Sequence, residues 1–126
     1  MSYSVTYDAE AGFITIVMKG MIDQSVTRET ASKAARLVQE HNCCLVLTDA
    51  REATMAFSIM EIYDLPKIVL EVLAESGIQA HNLKRAIVVS DKMDDFIFFE
   101  TISRYHSQNV KLFRNMDEAR KWLSGK

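Results

Sequence analysis

The spacing of apolar residues divides the chain into short strands that alternate with longer helices. The first two strands are joined by the turn Asp8-Ala9-Glu10-Ala11-Gly12, which predicts a hairpin. The third strand shows no alternation of polar residues, as expected of a strand that is covered on both faces, and the fourth is also predicted to be buried. The predicted strands are 3–7, 13–18, 43–47, 85–89 and 110–113.

Helix start and stop signals follow the second, third, fourth and fifth strands. Ser25 is predicted to cap the first helix and Asn42 to stop it. The second helix opens on Ser58 and Glu61, whose spacing predicts a capping box. Because Pro66 falls inside this helix, we expect either a kink or a split into two pieces. The last two helices are predicted over 93–106 and 115–123.

The resulting order of elements is β-β-α-β-α-β-α-β-α. Strands joined through a helix are expected to be parallel, with right-handed crossovers, whereas the opening hairpin is antiparallel. The sequence therefore predicts an α/β fold with a mixed sheet of about five strands and four helices. The length of 126 residues is that of one ordinary domain, so we expect a single domain over 1–126.

Composition excludes several classes of function. The formal net charge of -2, with scattered Lys and Arg, is against nucleic-acid binding. No apolar run approaches the roughly 18 residues that a membrane span needs. The first residues, Met1-Ser2-Tyr3-Ser4, lack the basic and apolar regions of a signal peptide, so we expect a cytoplasmic protein.

The two cysteines, Cys43 and Cys44, are adjacent in the third predicted strand. Consecutive strand residues point to opposite faces, so a disulfide between them is not expected. We predict two free, buried thiols. A metal site needs further Cys or His ligands at fixed spacing, so we expect no metal and no cofactor.

Residues in the C-terminal third resemble a known family. The segments Asp-Phe-Ile-Phe-Phe-Glu-Thr (95–101), Asn-Val-Lys-Leu-Phe (109–113) and Asp-Glu-Ala-Arg-Lys-Trp-Leu (117–123) are similar to the SpoIIAA-like branch of bacterial STAS proteins. The STAS fold is that of anti-sigma-factor antagonists and of the cytoplasmic tails of anion transporters. The resemblance covers the whole chain and implies a STAS-like fold and a binding or scaffold module.

The resemblance also draws attention to Ser58. In the phosphorylated antagonists, an Asp-Ser-Ser-Gly-like motif opens the second helix and its serine accepts the phosphate. Ser58 falls at or near that position, but Phe57 and Ile59 stand where the motif has aspartate and glycine. Ser58 is therefore a candidate phosphosite, and the alternative that we favour is a helix cap alone.

Polar residues follow the third and fourth predicted strands. Asp49 and Arg51 come after the third strand, and Ser90 and Asp91 come after the fourth. Carboxyl ends of parallel strands meet at one edge of a sheet, so we expect these residues and Ser58 to form a rim that binds a partner or ligand. The alternative for Asp49 and Arg51 is that they pair with each other.

The spacing of serine, cysteine and histidine supports no catalytic triad, so we expect a protein that is not an enzyme. The leading hypothesis is a STAS-like module that acts through protein association, as a homodimer, with the rim as its partner surface. The alternative is a carrier or sensor of a small apolar molecule or nucleotide, in a cleft near the second helix. Some SpoIIAA-like proteins resemble lipid carriers of the CRAL-TRIO type, whose helices can part over an apolar cleft.

The run Phe96-Ile97-Phe98-Phe99 bears on both hypotheses, because it is wider than one buried helix stripe. We expect it to pack in the core. Its alternatives are a dimer surface or the wall of an apolar ligand cleft.

Overall fold

Five strands and four α-helices follow one another in the predicted order. The computed structural model describes residues 2–55, 58–90, 94–105 and 108–125. A single 3₁₀ turn, Ala80–Asn82, precedes the fourth strand. The elements are β1 (Ser2–Asp8), β2 (Phe13–Ile22), α1 (Gln24–His41), β3 (Leu45–Met55), α2 (Ile59–Glu75), β4 (Lys84–Val88), α3 (Asp94–Tyr105), β5 (Asn109–Phe113) and α4 (Met116–Ser124).

The five strands form one sheet in the sequential order β1-β2-β3-β4-β5. The β1–β2 pair is antiparallel, and all later pairs are parallel. The predicted mixed α/β sheet is therefore confirmed. Each crossover moves one strand further in the same direction, so right-handed connections place α1, α2 and α3 on one face of the sheet.

The two faces of the sheet have separate cores. On the face of α1, α2 and α3, two apolar clusters join these helices to β2, β3 and β4. On the opposite face, Ala119 and Leu123 of α4 pack against Leu47, Ala86 and Val88. We call these the three-helix face and the α4 face. Side chains alternate between the two faces along a strand, so the position of a residue in its strand decides which face its side chain lies on.

Strand β3 is longer than the sequence predicts, since it runs to Met55 instead of ending at Leu47. It pairs with β2 as far as Ile22↔Met55, with a register shift between Val17 and Lys19 of β2. Two residues of β3 stand opposite one of β2 there, which is a β-bulge. The prediction was wrong because polar side chains in this half of β3 face solvent, while its main chain still pairs with β2.

The first helix begins at a different cap from the one predicted. The side chain of Asp23, not Ser25, accepts a hydrogen bond from the Val26 amide at 2.8 Å. The stop signal is confirmed, because Asn42 adopts the left-handed conformation with φ of 49° and its amide bonds to the Val38 carbonyl. Asparagine tolerates this conformation better than most residues.

Two further expectations are corrected. Cys43 is buried but Cys44 is exposed, so only one of the free thiols is sheltered. Both residues precede β3 instead of lying in it. Helix α2 continues through the buried Pro66 as one helix, so of the two alternatives the split into two pieces does not occur. Neighbouring residues anchor that turn to the core, since Ile62, Leu65 and Val69 are buried.

Candidate functional site

Ser58 is the N-cap of α2. Its Oγ accepts a hydrogen bond from the Glu61 amide at 3.2 Å. In return, Oε1 of Glu61 accepts a hydrogen bond from the Ser58 amide at 3.1 Å. The predicted capping box is confirmed, and both residues are exposed. Phe57, the residue before the cap, lies outside the described residues.

Asp49 and Arg51 form an ion pair with each other. Nε and Nη2 of Arg51 each donate to a different carboxylate oxygen of Asp49, both at 2.9 Å. This two-point contact holds the pKa of Asp49 below its ordinary value of 3.8, with the hydrogen bond from Arg51 as the main cause. The mutual pairing that we kept open as an alternative is therefore present.

The expected rim is divided between two parts of the molecule. Asp49 lies within β3 opposite Val88, the last residue of β4, and its side chain is on the α4 face. Ser58 follows the end of β3 at Met55 and heads α2 on the three-helix face. Ser90 is exposed two residues beyond β4. Asp91 lies outside the described residues.

A cavity lies between the sheet and α1, α2 and α3, next to the second helix as the alternative hypothesis expects. Its volume is about 90 Å³. The strands β2, β3 and β4 form its floor, and the three helices form its roof. Most of its walls are apolar, and representative residues are Met18, Ala34, Met55, Val69, Ile87 and Phe99.

The phenylalanine run contributes to this cavity. Phe96 and Phe99 are 4% and 5% exposed and line the cavity from α3, whereas Ile97 is 44% exposed and faces solvent. The expected core packing is thus confirmed for two of the phenylalanines. The same two side chains also form the wall of an apolar cleft, which was one of the alternatives.

Polar side chains on the cavity wall are few. The hydroxyl groups of Thr27 and Thr30 donate to main-chain carbonyls within the first turns of α1. Arg85 is the one charged side chain among the described residues that line the cavity. Its side chain is half-buried, and partial desolvation lowers its pKa to about 10 because it disfavours the charged form.

Sequence reasoning missed Arg85, although a signal for it exists. Residues 85–89 were predicted as a buried strand, and a buried strand rarely begins with arginine. An arginine at such a position either pairs with an acidic side chain or lines a cavity. Only the packing of α2 and α3 over β4 shows which of these applies.

Metal sites and membrane spans are both absent from the part of the chain that the structure describes. In residues 2–55, 58–90, 94–105 and 108–125, three or more His, Cys, Asp or Glu side chains nowhere come together as metal ligands. The helices in those ranges are all too short or too polar to cross a membrane.

Comparison with known proteins shows a likeness to solved structures. No family model matches the chain, and no curated protein matches it. Among solved structures, it is similar to an uncharacterized protein of the DUF3478 family with a SpoIIAA-like fold from Shewanella loihica. The TM-score is 0.58 at 13% identity, over 97% of this chain and 92% of that chain. The fold is SpoIIAA-like.

The SpoIIAA-like fold confirms the architecture that the C-terminal segments implied. At this level of identity the likeness concerns the fold alone. The rim of Asp49, Arg51, Ser58, Ser90 and Asp91 therefore stays a prediction as a binding surface. Any function of this SpoIIAA-like domain has to be argued from its own side chains.

We predict that Ser58→Ala lowers the free energy of unfolding by about 1 kcal/mol, because the Glu61 amide loses its acceptor. Ser58→Asn is the matched control and should change stability little, since asparagine is an equally good cap. Urea denaturation measures both variants. Equal stability of Ser58→Ala and the wild-type protein would contradict the capping role.

We also predict a pH-dependent effect of Asp49→Asn. Arg51 lowers the pKa of Asp49 in the folded state, so the ion pair stabilises the fold above pH 3.8 and this contribution is lost as the pH falls through the folded-state pKa. The variant should therefore be less stable than wild type at neutral pH, and the difference should vanish in acid. Thermal unfolding between pH 2 and pH 7 tests this.

Glu52→Gln is the control for Asp49→Asn. Glu52 pairs with Lys19 at a longer distance of 3.5 Å, and both side chains are largely exposed. We expect a smaller difference from wild type at neutral pH than for Asp49→Asn. An Asp49→Asn difference that persists unchanged at pH 2 would show that the ion pair is not its source.

Proposed function

We propose that this protein is a non-catalytic module that binds a small apolar molecule and acts as its carrier or sensor. The observation that carries the proposal is the cavity between the sheet and α1, α2 and α3. Ligand sites are commonly concave and mainly apolar, with a small number of polar groups. The cavity has this composition.

The lining of the cavity favours a flexible ligand. Its floor includes β3 residues between Val46 and Met55, and its roof is made by side chains of three separate helices. A hydrocarbon chain can follow an irregular apolar space of this kind, because its single bonds rotate.

The roof of the cavity is suited to adjustment. In the described residues the helices pack on the sheet through apolar side chains. Met18 and Met55 line the cavity, and methionine side chains repack readily around ligands of different shape. We infer that α1 and α2 move apart slightly when a longer chain enters.

The polar groups at the cavity support binding more than catalysis. Three threonines line the cavity, and two of them, Thr27 and Thr30, already donate their hydroxyl protons to main-chain carbonyls of Asp23 and Val26. An activated nucleophile would instead need a base as its hydrogen-bond partner. This supports the non-catalytic part of the proposal.

The test uses three amphiphiles with one alkyl chain: octanol, octanoate and octylamine. At least one of them should raise the melting temperature of the wild-type protein. Ala34→Leu fills part of the cavity from α1 and should abolish that rise. Ala74→Leu makes the same substitution at an exposed position of α2 and should retain it.

Native mass spectrometry of the protein purified from cells provides a second readout. We expect a bound small molecule in the wild-type and Ala74→Leu proteins, and less of it in Ala34→Leu. No amphiphile-induced shift together with no co-purifying molecule would refute the proposed function. An equal shift in Ala34→Leu and wild type would place the binding outside the cavity.

Protein association is a second candidate function, and exposed apolar side chains favour it. Met60 in α2 is 72% exposed, Tyr63 is 37% exposed one turn further on, and Ile97 in α3 is 44% exposed. Such side chains are typical of interaction surfaces when they occur together. For this function, α2 and α3 would form a homodimer contact, or a partner protein would bind at the rim of Asp49 and Arg51.

Two single variants separate these surfaces. If the helices form a homodimer, Met60→Glu should reduce the mass measured by light scattering, because it introduces a charge into an apolar contact. If a partner binds at the rim, Arg51→Glu should reduce its recovery by pull-down. Unchanged mass and unchanged recovery in both variants would count against protein association.

A further inference from the structure

Arg85 lies on the wall of the cavity in an unusual setting for a cation. It belongs to β4, where it is in register with Val46 of β3 and Val110 of β5. Its side chain is on the three-helix face, among the apolar residues that line the cavity. Arginine is seldom placed among such residues unless an anion accompanies it.

Among the described residues, the hydrogen-bond partner of Arg85 is a neutral side chain. Its Nη1 donates to Oε1 of Gln108 at 2.7 Å. Nε2 of Gln108 donates in turn to the carbonyl of Pro66 at 2.9 Å. Gln108 is 3% exposed, so the amide is held in one orientation with its oxygen toward Arg85.

This arrangement leaves the charge of Arg85 without a carboxylate. The ion pairs formed within the described residues are Lys19–Glu52, Arg28–Glu71 and Asp49–Arg51, and Arg85 belongs to none of them. A guanidinium has five N–H donors in a planar fork, and one amide oxygen accepts one of them. The side chain is half-buried, so the remaining donors are open to the cavity or to solvent.

A purely structural role explains this arrangement poorly. Tying β4 to α2 through Gln108 needs one hydrogen-bond donor, which a neutral side chain would supply without the cost of desolvating a charge. Desolvation lowers the pKa of Arg85 to about 10, yet the group stays protonated at neutral pH. An anion entering the cavity would offset that desolvation.

We propose that the cavity binds a monocarboxylate with an unbranched apolar chain, and that Arg85 pairs with its carboxylate. This rests on the proposed function and adds the chemical class of the ligand. A carboxylate matches the guanidinium fork in a two-point contact. The alkyl chain then lies over the strands, between Met18 and Ile87 of the floor and the helices above.

The charge of the site favours a carboxylate over a phosphate. A phosphate monoester carries nearly two negative charges at neutral pH. Among the described lining residues, Arg85 is the single cation available to balance them. The site is therefore suited to a ligand with a single negative charge.

The experiment compares octanoate, octanol and octyl phosphate on the wild-type protein by isothermal titration calorimetry. We expect octanoate to bind roughly ten- to a hundredfold more tightly than octanol, as a charge-assisted pair predicts. Octyl phosphate should bind more weakly than octanoate. The substitution Arg85→Met should remove the preference for octanoate while octanol still binds, and Arg85→Lys should retain part of it.

The comparison in the wild-type protein keeps the proposal testable even if Arg85→Met does not fold. A second wild-type readout is the ¹⁵N NMR signal of the Arg85 Nε, which should shift with octanoate and stay in place with octanol. Equal affinity for octanoate and octanol would overturn the role of Arg85 but leave the proposed function standing. Tighter binding of octyl phosphate than of octanoate would overturn the assignment of a carboxylate and indicate a phosphate ligand. No binding of any probe would refute both.

Discussion

The handedness of the crossover connections is the constraint on which the structure depends. Strands β2 to β5 are parallel and lie side by side in chain order. Right-handed connections between them therefore bring α1, α2 and α3 to one face of the sheet. Only α4, which follows the last strand, is released from this rule and packs on the opposite face.

The two faces acquire different properties from this asymmetry. Three helices must cover one face, and the space that they leave over β3 is the apolar cavity. On the other face, one helix covers part of the sheet. Polar residues of the longer strands, such as Lys19, Asp49 and Arg51, can therefore remain in contact with solvent. The apolar cavity and the exposed ion pairs thus lie on opposite sides of the same sheet.

Features that depend on near neighbours could be predicted from the sequence. The capping box of Ser58 and Glu61 involves residues three apart, so the chain's own geometry brings them together. The pairing of Asp49 with Arg51 is equally local. The end of β3 could not be predicted, because it depends on how far β2 continues beside it. Arg85 was missed for a similar reason, since its environment is made by α2 and by Gln108, 23 residues further along the chain.

The sequence by itself determined the alternation of strands and helices, the likeness to SpoIIAA-like proteins and the capping box of Ser58 and Glu61. These follow from hydrophobic periodicity and from contacts within one helical turn. The tertiary structure alone decided that Asp49 and Ser58 lie on different sides of the sheet and that Arg85 faces a cavity. The reason is physical. Which face a strand residue occupies, and what covers it, is set by packing between elements that are distant in the chain.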